Sequence, residues 1–441
     1  MGQVMRIEFL ETGSRLFGDS RTPFELNESE VLFFIRIRGR DSYFRDVYGE
    51  GLLSEFPNIS KPKCISEYTR DADVHIDLDN PQRDYLTKKE WNNLNRIVSV
   101  DSLIQRCRGL RSIRRDKALS YIYRAYLFIN NYFLEDRMTK LIVIGAIDNY
   151  VMHLLYLIGE DYGVTFLPIT DSFMSPEYKL MIADGKPKVK RNTSDEEVDY
   201  IYENIELSTN AERNYYPLKQ YLKCYYLLFS YIYRYAVRYI IGNRLLKKSS
   251  YEHAFMRYIN TEFSVSSMFR IRFLNTKLRK TKKKSVYLPL HWYPEATTDY
   301  WIDSEFYVDY YSAMKGVVKE LVSCNYDVVI KEHPHFLFMR YSGVYKDLIS
   351  AGAILVSPIV STKQVFDAVD LVLVMNGSTG IEAAVYGKPV AKLTNSYYGD
   401  RYIKTFDSSI EDIGHYTIAK SNTKKMIRLV AESSIKVQKM N

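Results

Sequence analysis

The sequence predicts an α/β protein with two parallel-sheet domains separated by a helical, Tyr-rich and basic middle. Three observations predict it. Residues 141–146 (LIVIGA), 326–331 (YDVVIK) and 370–375 (DLVLVM) are short, nearly continuous apolar runs, as strands buried on both faces require. Each run leads into a polar or Gly-containing loop and then a helical pattern, which is the spacing of a β-α-β unit. The chain has 441 residues, more than one core ordinarily serves.

In the first domain, expected over residues 1–200, 31–37 (VLFFIRI) is the first clear strand. Residues 86–134 read as helical and carry a basic cluster at Arg106, Arg108, Arg111, Arg114 and Arg115. LIVIGA is the next strand, with Asp148 just past its end, followed by an apolar helix over 150–160. Gly163 stops that helix, and 164–169 (VTFLPI) is a further strand. The polar stretch 184–197 reads as a surface loop.

The middle, 201–280, is Tyr-rich and mostly helical. In 221–241 aromatics alternate with Lys223, Arg234 and Arg238, which suits a packed helix with snorkelling cations or a helix lying on an anionic membrane. The last domain, 281–441, alternates strands at 285–290, 326–331, 353–356, 370–375 and 389–393 with helices at 304–323, 338–350, 363–368 and 381–386.

Composition narrows the classes. Apolar residues are 46% and charged residues 26%, a globular balance. Aromatics are 14%, and 39 of them are Tyr, whose apolar ring and polar tip suit half-wet surfaces. The four Cys, at 64, 107, 224 and 324, have no metal-ligand or disulfide spacing, so a reducing compartment and no structural metal are expected. No secretory leader is legible at the N-terminus, and the longest uncharged run is too short to span a bilayer. The expectation is a cytoplasmic protein, peripheral at most on the inner face of a membrane. The net charge is +8, and residues 270–284, from Arg270 to Lys284, carry eight basic residues and no acid. That local patch suits an anionic membrane surface or a polyanionic glycan. No nucleic-acid module accompanies it, so nucleic acid is not an expected partner.

Three stretches could carry chemistry, and each follows a strand of the last domain. Asn376, Gly377, Ser378, Thr379 and Gly380 form a Gly-bracketed loop opening a helix, with Glu382 on its first turn. Such a loop offers hydroxyls and free amides to an anion, and an acid so placed suits ribose hydroxyls. Thr379 and Glu382 equally fit an ordinary capping box. His333 and Pro334, in KEHPH, follow YDVVIK; the imidazole there can bond a phosphate or protonate a leaving group. His291 and Glu295, in PLHWYPEATTDY, put a base and an acid on one loop with Trp292 and Tyr293 beside them. A loop His satisfying carbonyls and an aromatic turn are the plain structural alternatives. Loops at the carboxyl ends of parallel strands in one sheet converge on one crevice.

Taken together, the HP after a strand, the NGSTGIEAAVYGKPV stretch about 40 residues later and the PLHWYPEATT phrase resemble the bacterial capsule polysaccharide biosynthesis family, which includes capsule Kdo transferases of the GT-B fold. The resemblance covers about 285–395, with a weaker echo at 141–182. It implies a GT-B-like chain, with two Rossmann-like domains facing a cleft and the Tyr-rich segment inserted between them. It implies that His333 contacts a donor phosphate, that Ser378 and Thr379 form the phosphate-binding hydroxyl pair, that Glu382 holds the ribose, and that His291 and Glu295 lie near the donor. Related CMP-sugar transferases carry an acidic base motif in the N-terminal domain. Residues 160–163 (EDYG) match it only imperfectly, so Asp148 is the expected base.

The expected activity is transfer of a sugar, a CMP-linked acidic one by preference, to a surface-glycan or lipid-linked acceptor. No metal or cofactor beyond the nucleotide-sugar co-substrate is expected; Asp71 and Asp73 have a metal-binding spacing but lie far from the α/β domain in sequence. The alternatives are a nucleotide-sugar 2-epimerase and a non-catalytic polysaccharide-assembly subunit.

Overall fold

The computed structural model describes residues 85–210 and 283–436, apart from breaks at 108, 136–138, 148, 175–177, 189–191, 292, 294–295, 334–339, 341, 358–359 and 408–411, together with Tyr226 and five short strands within residues 1–84. The middle expected at 201–280 lies outside the described residues except for 201–210 and Tyr226. Of the basic run, only Lys283 and Lys284 are described.

The chain divides into two compact α/β units. The first ends at Thr193 and takes the chain back from Val430; the second ends at Leu429 and starts at Ser194.

The first unit is built on strands β1 (Val31–Arg36), β2 (Lys63–Ser66) and β3 (Val74–His75), helix α1 (Arg115–Glu135), strand β4 (Thr139–Gly145), helix α2 (Tyr150–Asp161), and strands β5 (Thr165–Asp171) and β6 (Tyr178–Leu180). β1 to β5 are parallel, and their order across the sheet is β3-β2-β1-β4-β5. The LIVIGA run is therefore a central strand, as its lack of alternation requires. Helix α2 begins where Asn149 caps Met152 through its side-chain oxygen, 3.0 Å away.

The expected single helical stretch at 86–134 is broken. Helices cover Lys88–Ile97 and Val100–Arg106, with a 3₁₀ turn at Leu110–Ser112 before α1. Thr87 closes a capping box with Glu90, and Ser99 caps the next helix, so local caps divide the helical stretch. The expected loop at 184–197 is also more ordered. Asp184 and Gly185, both at positive φ, turn a short hairpin, and three acidic residues open helix α3 (Asp195–Asn210).

The second unit contains α3, then β7 (Ser285–Pro289), α4 (Tyr310–Ser323), β8 (Asp327–Lys331), α5 (Ser342–Ser350), β9 (Ala353–Val356), α6 (Thr362–Ala368), β10 (Leu371–Val374), α7 (Thr379–Val385), β11 (Val390–Lys392), β12 (Lys404–Thr405) and α8 (Lys420–Glu432). Its six strands are all parallel, in the order β9-β8-β7-β10-β11-β12. Counted from the first strand this is 3-2-1-4-5-6, the doubly wound dinucleotide-fold order.

On one sheet face Val286, Leu288, Val328, Ile330, Leu371 and Leu373 pack with Tyr310, Met314, Val317, Val318 and Leu321 of α4 and Leu348 of α5. The α4 positions follow the 3.6-residue period that its sequence shows. The opposite face is buried too, with Tyr287 against Phe366 of α6. Asp370 ties the start of β7 to β10 by accepting from the Ser285 N–H and hydroxyl at 2.8 and 2.9 Å.

Two boundaries differ from expectation. Strand β13 (Ser434–Lys436) pairs antiparallel with β6, so the last residues of the expected 281–441 domain belong to the first sheet. Helix α3 belongs to the second unit: Asp195 and Asp199 pair with Arg428 and Lys424 of α8, and the Tyr202 hydroxyl donates to the Val385 carbonyl. Both errors have one cause. A chain that leaves a unit and returns gives no local signal of where it packs.

Gly159 of α2 supplies a test. A Cβ there would lie 2.5 Å from Cε2 of buried Phe166 on β5. Gly→Ala inside a helix ordinarily stabilises by about 1 kcal/mol. Gly159→Ala should instead lower stability by about 1–3 kcal/mol in urea unfolding, because the ring has no room to move.

Candidate functional site

The strand order of the second unit changes direction between β7 and β10, with β8 on one side and β11 on the other. Loops leaving the carboxyl ends of two such strands run to opposite sides and open a crevice. His291 is on the loop after β7, and Asn376, Gly377 and Ser378 are on the loop after β10. The structure brings these loops together. A Cβ on Gly377 would sit 2.7 Å from Cε1 of the His291 imidazole and 3.3 Å from its Nε2. Glycine at 377 permits that approach; a Cβ there would displace the imidazole.

His291 is fixed through its main chain. Its N–H donates to the Tyr310 hydroxyl at 2.8 Å, and its carbonyl accepts from Nη2 of Arg340 at 2.7 Å. The Nε2 atom is buried with no hydrogen-bond partner. Burial, then the neighbouring His333 and the Arg340 cation, hold its pKa down at about 4. The imidazole is therefore neutral near pH 7 and acts by hydrogen bonding, not as a charged acid.

Arg340 is fully buried and Glu332 is 3% exposed. The guanidinium grips the carboxylate with two bonds, Nε to Oε2 at 2.7 Å and Nη2 to Oε1 at 3.0 Å. Nη1 donates to the Tyr311 hydroxyl at 3.2 Å, and the cation lies 5.3 Å from the centre of that ring. Oε1 of Glu332 also accepts the N–H of His333 at 2.7 Å, and the Tyr345 hydroxyl donates to Oε2. This one ion pair thus holds the backbone of both histidine loops. Burial and the Glu332 charge push the Tyr345 phenol well up.

The loop after β10 is held differently. Asn376 is 1% exposed; its Nδ2 donates to the Thr297 carbonyl at 2.8 Å, while its buried Oδ1 has no partner. The Tyr398 hydroxyl donates to the Gly377 carbonyl at 2.9 Å. Gly380 makes room for it, since a Cβ there would lie 2.5 Å from that hydroxyl oxygen. The capping box expected between Thr379 and Glu382 does not form. Thr379 is already the first helical residue, Ser378 before it makes no side-chain cap, and Oε1 of Glu382 accepts from the Ser378 hydroxyl at 3.1 Å. Helix α7 has only seven residues, so the polar groups of the loop carry more of the site than its dipole does.

Of the expected residues, His291, Asn376, Gly377 and Ser378 sit on the two loops flanking the order change, and Thr379, Gly380 and Glu382 open helix α7. His333 stands on the adjacent β8 loop, near enough for its charge to act on His291. Asp148, Glu295 and Pro334 lie outside the described residues. Four contributors were not singled out by the sequence: Glu332, Arg340, Tyr310 and Lys331. Glu332 and Lys331 lie inside KEHPH, and an acid and a base at a strand end beside His333 are a usable signal. Arg340, eight residues after Glu332, has none.

No protein-family model matches the sequence, and no curated protein matches it. Among solved structures, a beta Kdo 2,7 transferase, KpsC of Thermosulfurimonas dismutans, overlays with a TM-score of 0.37 at 11% identity, covering 91% of this chain and 90% of that one. A beta Kdo 2,4 transferase of the same organism gives 0.30 at 11% identity, covering 68% and 85%. UDP-GlcNAc 2-epimerase from Neisseria meningitidis bound to UDP-GlcNAc gives 0.28 at 12%, covering 91% and 94%. Overlays this loose decide nothing about activity, which rests on the strand order and side chains above.

Two predictions follow from the buried groups. The native pKa of His291, about 4, lies below the ordinary 6.5, so the folded state resists a proton that the unfolded chain takes up. Stability from this group is full above pH 6.5 and is lost as pH falls toward 4. At about 1.4 kcal/mol per unit the loss is about 3 kcal/mol. Urea melts at pH 7 and pH 4 should show an acid loss larger by that amount in the wild type than in His291→Asn. Arg340→Met should destabilise by about 3–5 kcal/mol, because it strands the Glu332 carboxylate. Arg340→Met with Glu332→Leu should recover most of that loss in the same melts.

Proposed function

We propose that the protein is a glycosyltransferase of GT-B type that moves a sugar from a nucleotide-activated donor to a surface-glycan or lipid-linked acceptor in capsule or surface polysaccharide synthesis. One observation carries the reading. At the order change of a 3-2-1-4-5-6 parallel sheet, His291 lies against Gly377, with its Nε2 and the Asn376 Oδ1 buried and unpartnered. Native folds leave few such atoms unsatisfied, and two beside one crevice suit a ligand with both hydrogen-bond donors and acceptors. A nucleotide-sugar has phosphoryl oxygens for the imidazole and hydroxyls for the amide oxygen.

In this reading the second unit binds the donor. His291, His333, Ser378 and Thr379 hydrogen-bond the phosphoryl oxygens and stabilise the nucleotide as it leaves. Glu382 takes the ribose hydroxyls, exchanging its bond from Ser378 for the ligand. The bond between the anomeric carbon and the phosphate oxygen breaks, the acceptor oxygen bonds to that carbon, and the acceptor proton goes to a base. Asp148 is assigned as that base from its place after β4, and Glu295 is assigned to the donor loop. A CMP-linked acidic sugar is the favoured donor. The basic run at 270–284 is assigned to an anionic membrane or glycan, which places the enzyme on the inner face of the membrane.

A thermal-shift panel of CMP, CDP, UDP and GDP tests the reading, since a ligand that binds only the native state raises the melting temperature. One nucleotide should shift the wild type selectively. Gly377→Ala should cut that affinity at least tenfold while leaving the fold intact, because the new methyl drives the imidazole out of place. With the matching nucleotide-sugar, free nucleotide should appear only when a glycan acceptor is supplied, and Asp148→Asn should abolish release without weakening binding. Acceptor-independent inversion at the sugar C2 would mark an epimerase instead, and a panel with no shift would sink the enzymatic reading.

A further inference from the structure

Lys331 ends strand β8, in register with Pro289 of β7 and Val356 of β9. Val328 and Ile330 of that strand enter the core shared with α4 and α5, so Lys331 projects to the other sheet face, toward α7. Its residue is 6% exposed, yet its ammonium makes no hydrogen bond and no ion pair among the described residues. Other shaded lysines of this unit do not behave so. Lys392, 7% exposed, pairs with Asp400, and the Lys388 ammonium donates to the Val369 carbonyl. The Lys331 side chain is largely shielded while its ammonium has no bonded partner, so its retention at a crevice marks a place for an anionic group.

The charged and titratable groups around Lys331 do not supply one. From α7, Glu382 acts on it only through space, and its carboxylate is engaged by the Ser378 hydroxyl. From β7, the Tyr287 phenol is buried, with its pKa pushed far up, and is uncharged. On its own loop Glu332 is committed to Arg340, and His333 follows. His291, beyond β7, is neutral near pH 7. Val356 on β9 carries no charge. Burial holds the Lys331 pKa down at about 8, with Glu382 drawing it slightly the other way.

We propose that Lys331 is the phosphate-selecting residue of this site, donating from its ammonium to the phosphoryl oxygens of the bound nucleotide. The inference rests on the nucleotide-binding reading and adds to it the group that separates a nucleotide from its nucleoside.

Lys331→Met and Lys331→Arg in the full chain test it, using the nucleotide that shifts the wild type and its nucleoside, for example CMP and cytidine. CMP lacks the transferred sugar and differs from cytidine only by its phosphate, so preference for CMP reports phosphate and not a sugar carboxylate. The wild type should bind the nucleotide at least tenfold more tightly than the nucleoside. Lys331→Met should cut that preference several-fold, the uncharged phosphate contacts remaining, and leave nucleoside affinity unchanged. Its ligand-free melting temperature should equal or exceed that of the wild type, because a buried lone cation has been removed. Wild-type affinity for the nucleotide should fall as pH rises above about 8, where the ammonium loses its proton, and Lys331→Arg should stay flat through that range.

Three results would overturn the assignment: an unchanged preference in Lys331→Met, equal losses for nucleotide and nucleoside, or a lower ligand-free melting temperature, which would make Lys331 a structural cation. A wild type that binds no nucleotide of any base removes the underlying reading as well. A wild type that binds nucleotide beside a Lys331→Met that does the same removes only this one.

Discussion

The candidate site depends on one buried ion pair. Glu332 and Arg340 are both shielded from water, and between them they fix the N–H of His333 and the carbonyl of His291. A pair of this kind gives little net stability, because the desolvation of two charges offsets most of their attraction. What it gives is geometry. A bidentate grip fixes the guanidinium plane, and that plane fixes the height at which the β7 loop passes beside the β8 loop. Tyr310, Tyr311 and Tyr345 enclose the pair and bond to its remaining polar atoms or to the adjoining backbone. The high Tyr content, which by composition suggests half-wet surfaces, here serves a dry polar interior.

Strand order supplies the other constraint. β7 and β10 are neighbours in the sheet, yet three crossovers, through α4, α5 and α6, separate them in the chain. His291 and Gly377 meet only because the sheet winds outward in both directions from β7. The approach is close enough that a Cβ would displace the ring, and the same burial that permits it strips the imidazole of its proton. A neutral imidazole suits hydrogen bonding to a phosphoryl group and suits general acid work poorly, since at pH 7 a group with a pKa near 4 is almost never protonated.

Much of this was legible in the sequence, for definite reasons. Strands such as 326–331 and 370–375 are nearly continuous apolar runs, so their type and place follow from burial on both faces. Functional loops follow strands, so His291, His333 and the NGSTG loop are found by position. Arg340 was not legible, because its partner lies across a loop whose path no local pattern fixes. Nor was the return of β13 to the first sheet, since three residues carry too little periodicity to assign a partner. The capping box between Thr379 and Glu382 fits the spacing and fails in the structure. The helix starts one residue earlier than that motif needs, and Glu382 takes the Ser378 hydroxyl instead.

Satisfied and unsatisfied groups are arranged in layers. The outer layer, Glu332, Arg340 and the tyrosines around them, is densely hydrogen-bonded and holds the loops whether or not a ligand is present. The inner layer holds His291 Nε2 and Asn376 Oδ1, buried and without partners, and the largely shielded Lys331. Each inner group is costly to bury, and none could be kept in place without the rigid layer behind it. A site that formed only around its ligand would spend binding energy on ordering loops. Loops fixed in folding carry no such ordering cost.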